Sequence, residues 1–61
     1  MDNPERLLRR REVEGLIGLK RSKLYQMIRE GLFPAPVKLT ERAVAWRASD
    51  VSAWINSREV A

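Results

Sequence analysis

The sequence predicts a mainly α domain with a minor β component: a helix-turn-helix, a two-stranded β-hairpin wing and a C-terminal helix. Three observations carry that expectation. Apolar residues recur at helical spacing over about 11–17, again over 21–30 and again over 50–58. The first two stretches end at Gly18 and Gly31, and only the turn Gly18-Leu19-Lys20 separates them. Between the second and third, Val37-Lys38-Leu39 and Val44-Ala45-Trp46 alternate apolar with small or polar residues.

Residues 1–5, Met-Asp-Asn-Pro-Glu, show no periodicity and read as a flexible start, leaving 6–61 as a single domain. Arg6 to Arg9 enclose Leu7 and Leu8, an extended lead-in whose leucines anchor the terminus. In the first helix Val13, Leu16 and Ile17 form one apolar face, and Glu12 and Glu14 sit where the dipole favours anions. Gly15 weakens this helix by up to ~1 kcal/mol relative to Ala, and its small size suits the close approach of another helix. The second helix, Arg21 to Glu30, buries Leu24, Met27 and Ile28. Phe33-Pro34-Ala35-Pro36 cannot be helical, because each proline biases its predecessor toward extended geometry. The hairpin then turns through the four-residue loop Thr40-Glu41-Arg42-Ala43. Ser49 caps the last helix, along which Val51, Trp54, Ile55 and Arg58 recur.

Sixty-one residues lie near the lower size limit for independent folding. A single core of this size supplies only ~3–5 kcal/mol. With no Cys and no His, disulfides, Cys/His zinc sites and imidazole or thiol chemistry are all excluded. No cofactor or metal is expected. No segment has the length and apolarity of a membrane span, so a cytoplasmic, nucleoid-associated protein is expected. The 12 basic and 8 acidic residues leave a net charge of +4, with a pI near 10.4. Nine of the cations are Arg, whose planar fork suits phosphate and guanine edges. Basicity alone does not identify a nucleic-acid partner; the placement of the charges does.

On the second helix, Arg21, Ser22, Tyr25, Gln26 and Arg29 fall on a broad arc opposite the apolar stripe, with Lys23 and Glu30 on its flank. No carboxylate stands among those five. The set offers Arg for guanine, Gln for adenine and hydroxyls for phosphate. The bland alternative is a solvated helix face, but such faces ordinarily mix both charge signs. Arg9, Arg10 and Arg11 form the densest cationic run at the start of the first helix, against its dipole. They suit phosphate contacts, or else form a solvated basic turn. Arg42 near the hairpin tip, with Lys38, reads equally as a groove or backbone contact and as a solubilising charge beside Glu41. Trp46 and Trp54 fall with Val44 and with Val51 and Ile55 and read as core rather than stacking platforms, whereas Tyr25 lies away from the core stripe. No serine has a histidine partner and no Gly-rich phosphate loop exists, so an enzyme is not expected.

Several short pieces together resemble a known family. They are Glu12-Val13, Gly18-Leu19, Arg21-Ser22 with Leu24-Tyr25, and Gly31-Leu32-Phe33-Pro34. Arg42 followed by Trp46-Arg47, and Ser49-Asp50-Val51 with Trp54-Ile55, complete the set. Over about residues 6–58 the chain resembles the AlpA family of phage-associated regulators, which is similar to the MerR-like winged helices and to excisionases. The resemblance implies that the Arg21–Glu30 helix enters the major groove with the 37–47 hairpin as wing. It also implies transcriptional control of a prophage or integrative element, or control of recombination direction. Lys20 departs from the Ser or Asn cap frequent in that family, and Thr40-Glu41-Arg42 lacks its small wing-tip residue.

The expected function is sequence-specific binding of double-stranded DNA. Arg21, Ser22, Tyr25, Gln26 and Arg29 face the major groove, and Arg10, Arg11, Lys20 and Arg42 hold phosphates. A module this small covers a short site, so a homo-oligomer or cooperative array, or contact with a recombinase or RNA polymerase, is an expected complement. One alternative is an excisionase that bends DNA. Another, of a different class, is a protein-interaction module such as an anti-repressor.

Overall fold

The computed structural model describes residues 6–61, so the segment expected to be flexible, 1–5, lies outside the described residues. The chain runs through β1 (Leu7–Leu8), α1 (Arg10–Ile17), α2 (Arg21–Arg29), β2 (Val37–Thr40), β3 (Ala43–Arg47) and α3 (Ala48–Asn56). This is an α+β winged helix, in agreement with the expected fold class.

Two glycines set the helix lengths. Gly18, at φ 75°, caps α1 and donates its N–H to the Glu14 carbonyl. Gly31, also at φ 75°, follows α2. There Leu32 N–H reaches the Met27 carbonyl and Gly31 N–H the Ile28 carbonyl, the paired bonds of a Schellman cap. An L side chain at either position would be strained by the backbone alone. Between the helices, Leu19 packs onto the core and ties the turn down. At the start of α1, the Glu12 carboxylate accepts the Arg9 N–H at 2.9 Å, satisfying one orphan donor.

The hairpin is one strand richer than expected. β1 pairs antiparallel with β3, Leu8 opposite Trp46 and Leu7 opposite Arg47, giving a three-stranded sheet in the order β1-β3-β2. Leu8 is buried, but Leu7 faces out, since neighbours on a strand point to opposite faces. The wing loop is also tighter than the four residues expected. Thr40 pairs with Ala43, so only Glu41 and Arg42 turn, and an irregularity between Lys38 and Thr40 takes up the extra residue Leu39. Among the described residues no non-glycine residue has positive φ, so the turn cannot be of the primed type that two-residue hairpins favour. The bulge and a 3.2 Å bond from Arg42 N–H to the Thr40 hydroxyl shape it instead.

Leu8, Val13, Leu24, Met27, Phe33, Trp46 and Val51 form the core, with Trp46 wholly buried. Three expectations about packing are corrected. Leu16 is 57% exposed, because α1 packs on β3 and α2 through the side carrying Val13 and Ile17, and Leu16 falls beyond that edge. A Cβ on Gly15 would meet nothing within 4 Å, so no helix approaches there. Ser49 is not the cap of α3; that helix starts at Ala48, whose N–H is taken by the Arg6 carbonyl at 2.7 Å, with Arg47 as N-cap. Arg58 lies past the end of α3 and folds back, its guanidinium carbon 4.2 Å from the Trp54 ring centroid.

Candidate nucleic-acid interface

Because Leu24 and Met27 turn inward, the opposite side of α2 is open: Arg21, Ser22, Gln26 and Arg29 are all exposed. Tyr25 differs from expectation. Its ring is half-buried and meets Trp46 edge-on at 6.3 Å between centroids, while the Arg21 guanidinium carbon sits 5.7 Å from its own centroid. The residue thus joins the core through its ring while still lining the surface, a dual role available to tyrosine.

Three linked depressions organise the basic surface. One of about 350 Å³ is lined by Arg21, Ser22, Tyr25 and Arg29. On the other side of Tyr25, one of about 310 Å³ gathers Arg9, Arg10, Arg11, Arg42 and Val44 around the same ring. Arg10 and Arg11 also line a third, of about 550 Å³, that continues past Glu14 and Gly18 to Lys20. The start of α1, the turn, α2 and the wing tip therefore share one surface. Gln26 is exposed on α2 but lines none of these depressions. Arg9, whose run reads either as phosphate contacts or as a solvated basic turn, lines the same depression as Arg42; the distance in sequence hides that proximity.

Charge pairing divides the cations. Arg10 is half-buried and its Nη1 donates to Glu14 Oε2 at 2.5 Å. Arg6 pairs with Glu12. Glu41 turns to Lys38, at 3.6 Å, rather than to its neighbour Arg42. Arg9, Arg11, Lys20, Arg21, Arg29 and Arg42 make no side-chain ion pair among the described residues. Helical spacing accounts for this. Arg10 has Glu14 four residues on, whereas the positions three and four away from Arg21 and Arg29 hold no carboxylate. That spacing is the signal by which the Arg10 pair could have been read beforehand. A carboxylate does reach the arc: Gln26 Nε2 donates to Glu30 Oε2 at 3.3 Å, so Glu30 is more than a flanking residue.

The geometry provides exposed planar donors and hydroxyls on one helix face, flanked by cations that have no ion pair among the described residues. Such a surface can bind an extended polyanion and read its edges. The family model of the prophage CP4-57 regulatory protein AlpA matches residues 6–59, nearly all of the described chain. The chain belongs to the AlpA family. It is also 50% identical over 54 residues to the uncharacterized protein ORF88 of Enterobacteria phage P4, an alignment covering 88% of this chain and 61% of that protein. The chain therefore spans under two thirds of its phage relative. Among the described residues, no helix is long and apolar enough to cross a membrane.

Proposed function

We propose that this AlpA-family chain binds double-stranded DNA in a sequence-specific way and regulates genes of a prophage or integrative element. In this reading α2 lies in the major groove, where Arg21, Ser22, Gln26 and Arg29 meet base edges and Tyr25 a phosphate. Arg9, Arg11, Lys20 and Arg42 follow the backbone, with the β2–β3 hairpin as wing. The observation that carries the proposal is the outward side of α2, exposed and free of ion-paired arginine, continuing through Tyr25 into the cationic surface at Arg42. A solvated helix face would not need that continuity.

A single module of this kind buries only about 600–1,000 Å² on DNA. Cooperative binding of two or more copies is part of the proposal. The test is selection of bound duplexes from a random pool, followed by a salt titration on the enriched sequence. A defined motif and an affinity that falls steeply with salt are expected, with a log–log slope of about −0.9 per phosphate. Binding that enriches no motif, ignores salt and survives Arg21→Ala with Arg29→Ala would point to a protein partner and end the DNA reading.

A further inference from the structure

Arg10 stands at the junction of two of the basic depressions, yet among the described residues it is the one arginine of the run 9–11 whose charge is answered by an ion pair. Its partner Glu14 is the more enclosed of the two, with 16% of its side chain exposed against 33% for Arg10. The pair lies four residues apart on α1, so the helix itself holds it in register. Glu14 also lines the depression that runs from Arg11 to Lys20. A duplex backbone laid along this surface meets Arg9, Arg11, Lys20 and Arg42, which have no ion pair among the described residues, and a neutral pair at Arg10.

We infer that Glu14 sets the affinity of the basic surface by occupying Arg10, so that one phosphate contact within the footprint is withheld. The inference rests on the DNA-binding reading and refines it. Glu14 is here an affinity-determining residue that acts through Arg10. The physical basis is competition for one guanidinium. A carboxylate already fixed on the same helix gives Arg10 a charge-assisted bond that a phosphate must displace. An arginine so occupied releases no counterion from DNA, whereas a liberated one does.

The experiment compares salt-dependent affinities of the whole chain and its variants for a duplex carrying the selected motif. Glu14→Gln keeps the length of the side chain but frees Arg10 from its counter-charge. The log–log slope should steepen by about 0.9, which corresponds to about eightfold tighter binding at 0.1 M salt if the salt-independent part of binding is unchanged. Glu59→Gln, an equal change in net charge at an exposed C-terminal position, should leave the slope alone. Arg10→Ala combined with Glu14→Gln removes both members of the pair and should bind like the unmodified chain.

An unchanged slope in Glu14→Gln overturns the inference, as does equal tightening by Glu59→Gln with no change in slope in either variant. A slope shallower by about 0.9 in the combined variant overturns it too, because Arg10 would then already contact a phosphate. Thermal melting of each variant verifies that folded protein is compared, and the combined variant tests the inference independently of how Glu14→Gln folds. Failure of the unmodified chain to bind any duplex in a salt-dependent way is a separate result. That outcome would remove the DNA reading and this inference with it.

Discussion

Phe33, Trp46 and Trp54 surround the bend after α2, while Arg21, Ser22, Gln26 and Arg29 stand on the outward side of α2 itself. At the bend, polar groups are answered internally. Trp46 Nε1 donates to the Pro34 carbonyl at 2.9 Å and Trp54 Nε1 to the Leu32 carbonyl at 2.7 Å, so backbone acceptors of a non-helical segment are satisfied by indoles. Phe33 meets Trp54 edge-on at 4.8 Å, and Arg58 covers the Trp54 ring. On the face of α2, by contrast, neither arginine has an acidic partner among the described residues. One region uses aromatic and cationic groups to close the fold; the other leaves donors available. Residue type alone does not separate the two uses. What separates them is whether the fold itself supplies the complementary group.

On this contrast, changes at the bend should alter stability and changes on the α2 face should alter affinity. The largest effect is expected for Trp46→Ala. Emptying a fully buried tryptophan site costs about 3–5 kcal/mol, comparable to the whole margin of ~3–5 kcal/mol expected for a domain of this size. Thermal unfolding followed by circular dichroism should lose its cooperative transition. Retention of a near-normal melting temperature would remove Trp46 from the core of the account.

Next comes Arg21→Ala with Arg29→Ala. A bidentate arginine–base pair is worth about 1–3 kcal/mol, so affinity for the selected duplex should drop by roughly fivefold or more per arginine that contacts a base. Losing the Arg21 contact with the Tyr25 ring costs no more than about 0.5–1 kcal/mol, so the melting temperature should fall only slightly. A lower melting temperature with intact affinity would invert the comparison. Arg42→Ala should be milder. Its expected signature is a log–log salt slope shallower by about 0.9 with the same sequence preference; an unchanged slope would take the wing tip off the DNA backbone. The smallest change is expected for Arg58→Ala. Loss of an exposed cation–π contact costs about 0.5–1 kcal/mol, measurable in urea unfolding, and DNA affinity should not respond. Weakened DNA binding at Arg58 would blur the boundary between the two regions.

Much of this division was legible in the sequence because it follows from short-range periodicity. The i, i+3, i+4 apolar pattern of α2 separates Leu24 and Met27 from Arg21, Ser22, Gln26 and Arg29, and Gly18 and Gly31 mark the stops. The inward parity of Trp46 was equally local. What the pattern could not give was set by contacts between distant residues. Two residues, Leu7 and Leu8, are too few to show a strand period, and they become a strand only by pairing with Trp46 and Arg47. Ser49 looked like a cap by residue type, but the Arg6 carbonyl fixes the start of α3 one residue earlier. Helical periodicity puts Tyr25 on the outward arc and cannot show its contact with Trp46, which spans the domain. The bulge at Leu39 shortened the wing loop without any glycine to announce it. For the interface, the members on α2 were readable from one helix; the juxtaposition of Arg9 with Arg42 needed the fold.

The most direct test is an NMR titration of the isotopically labelled chain with the selected duplex. Backbone amides from Arg21 to Arg29, together with that of Arg42, should shift, while the Trp54 indole N–H and the Leu32 amide stay in place. Shifts confined to Leu32, Trp54 and Arg58, with the α2 amides unmoved, would contradict the assignment of the outward side of α2 as the duplex-binding surface.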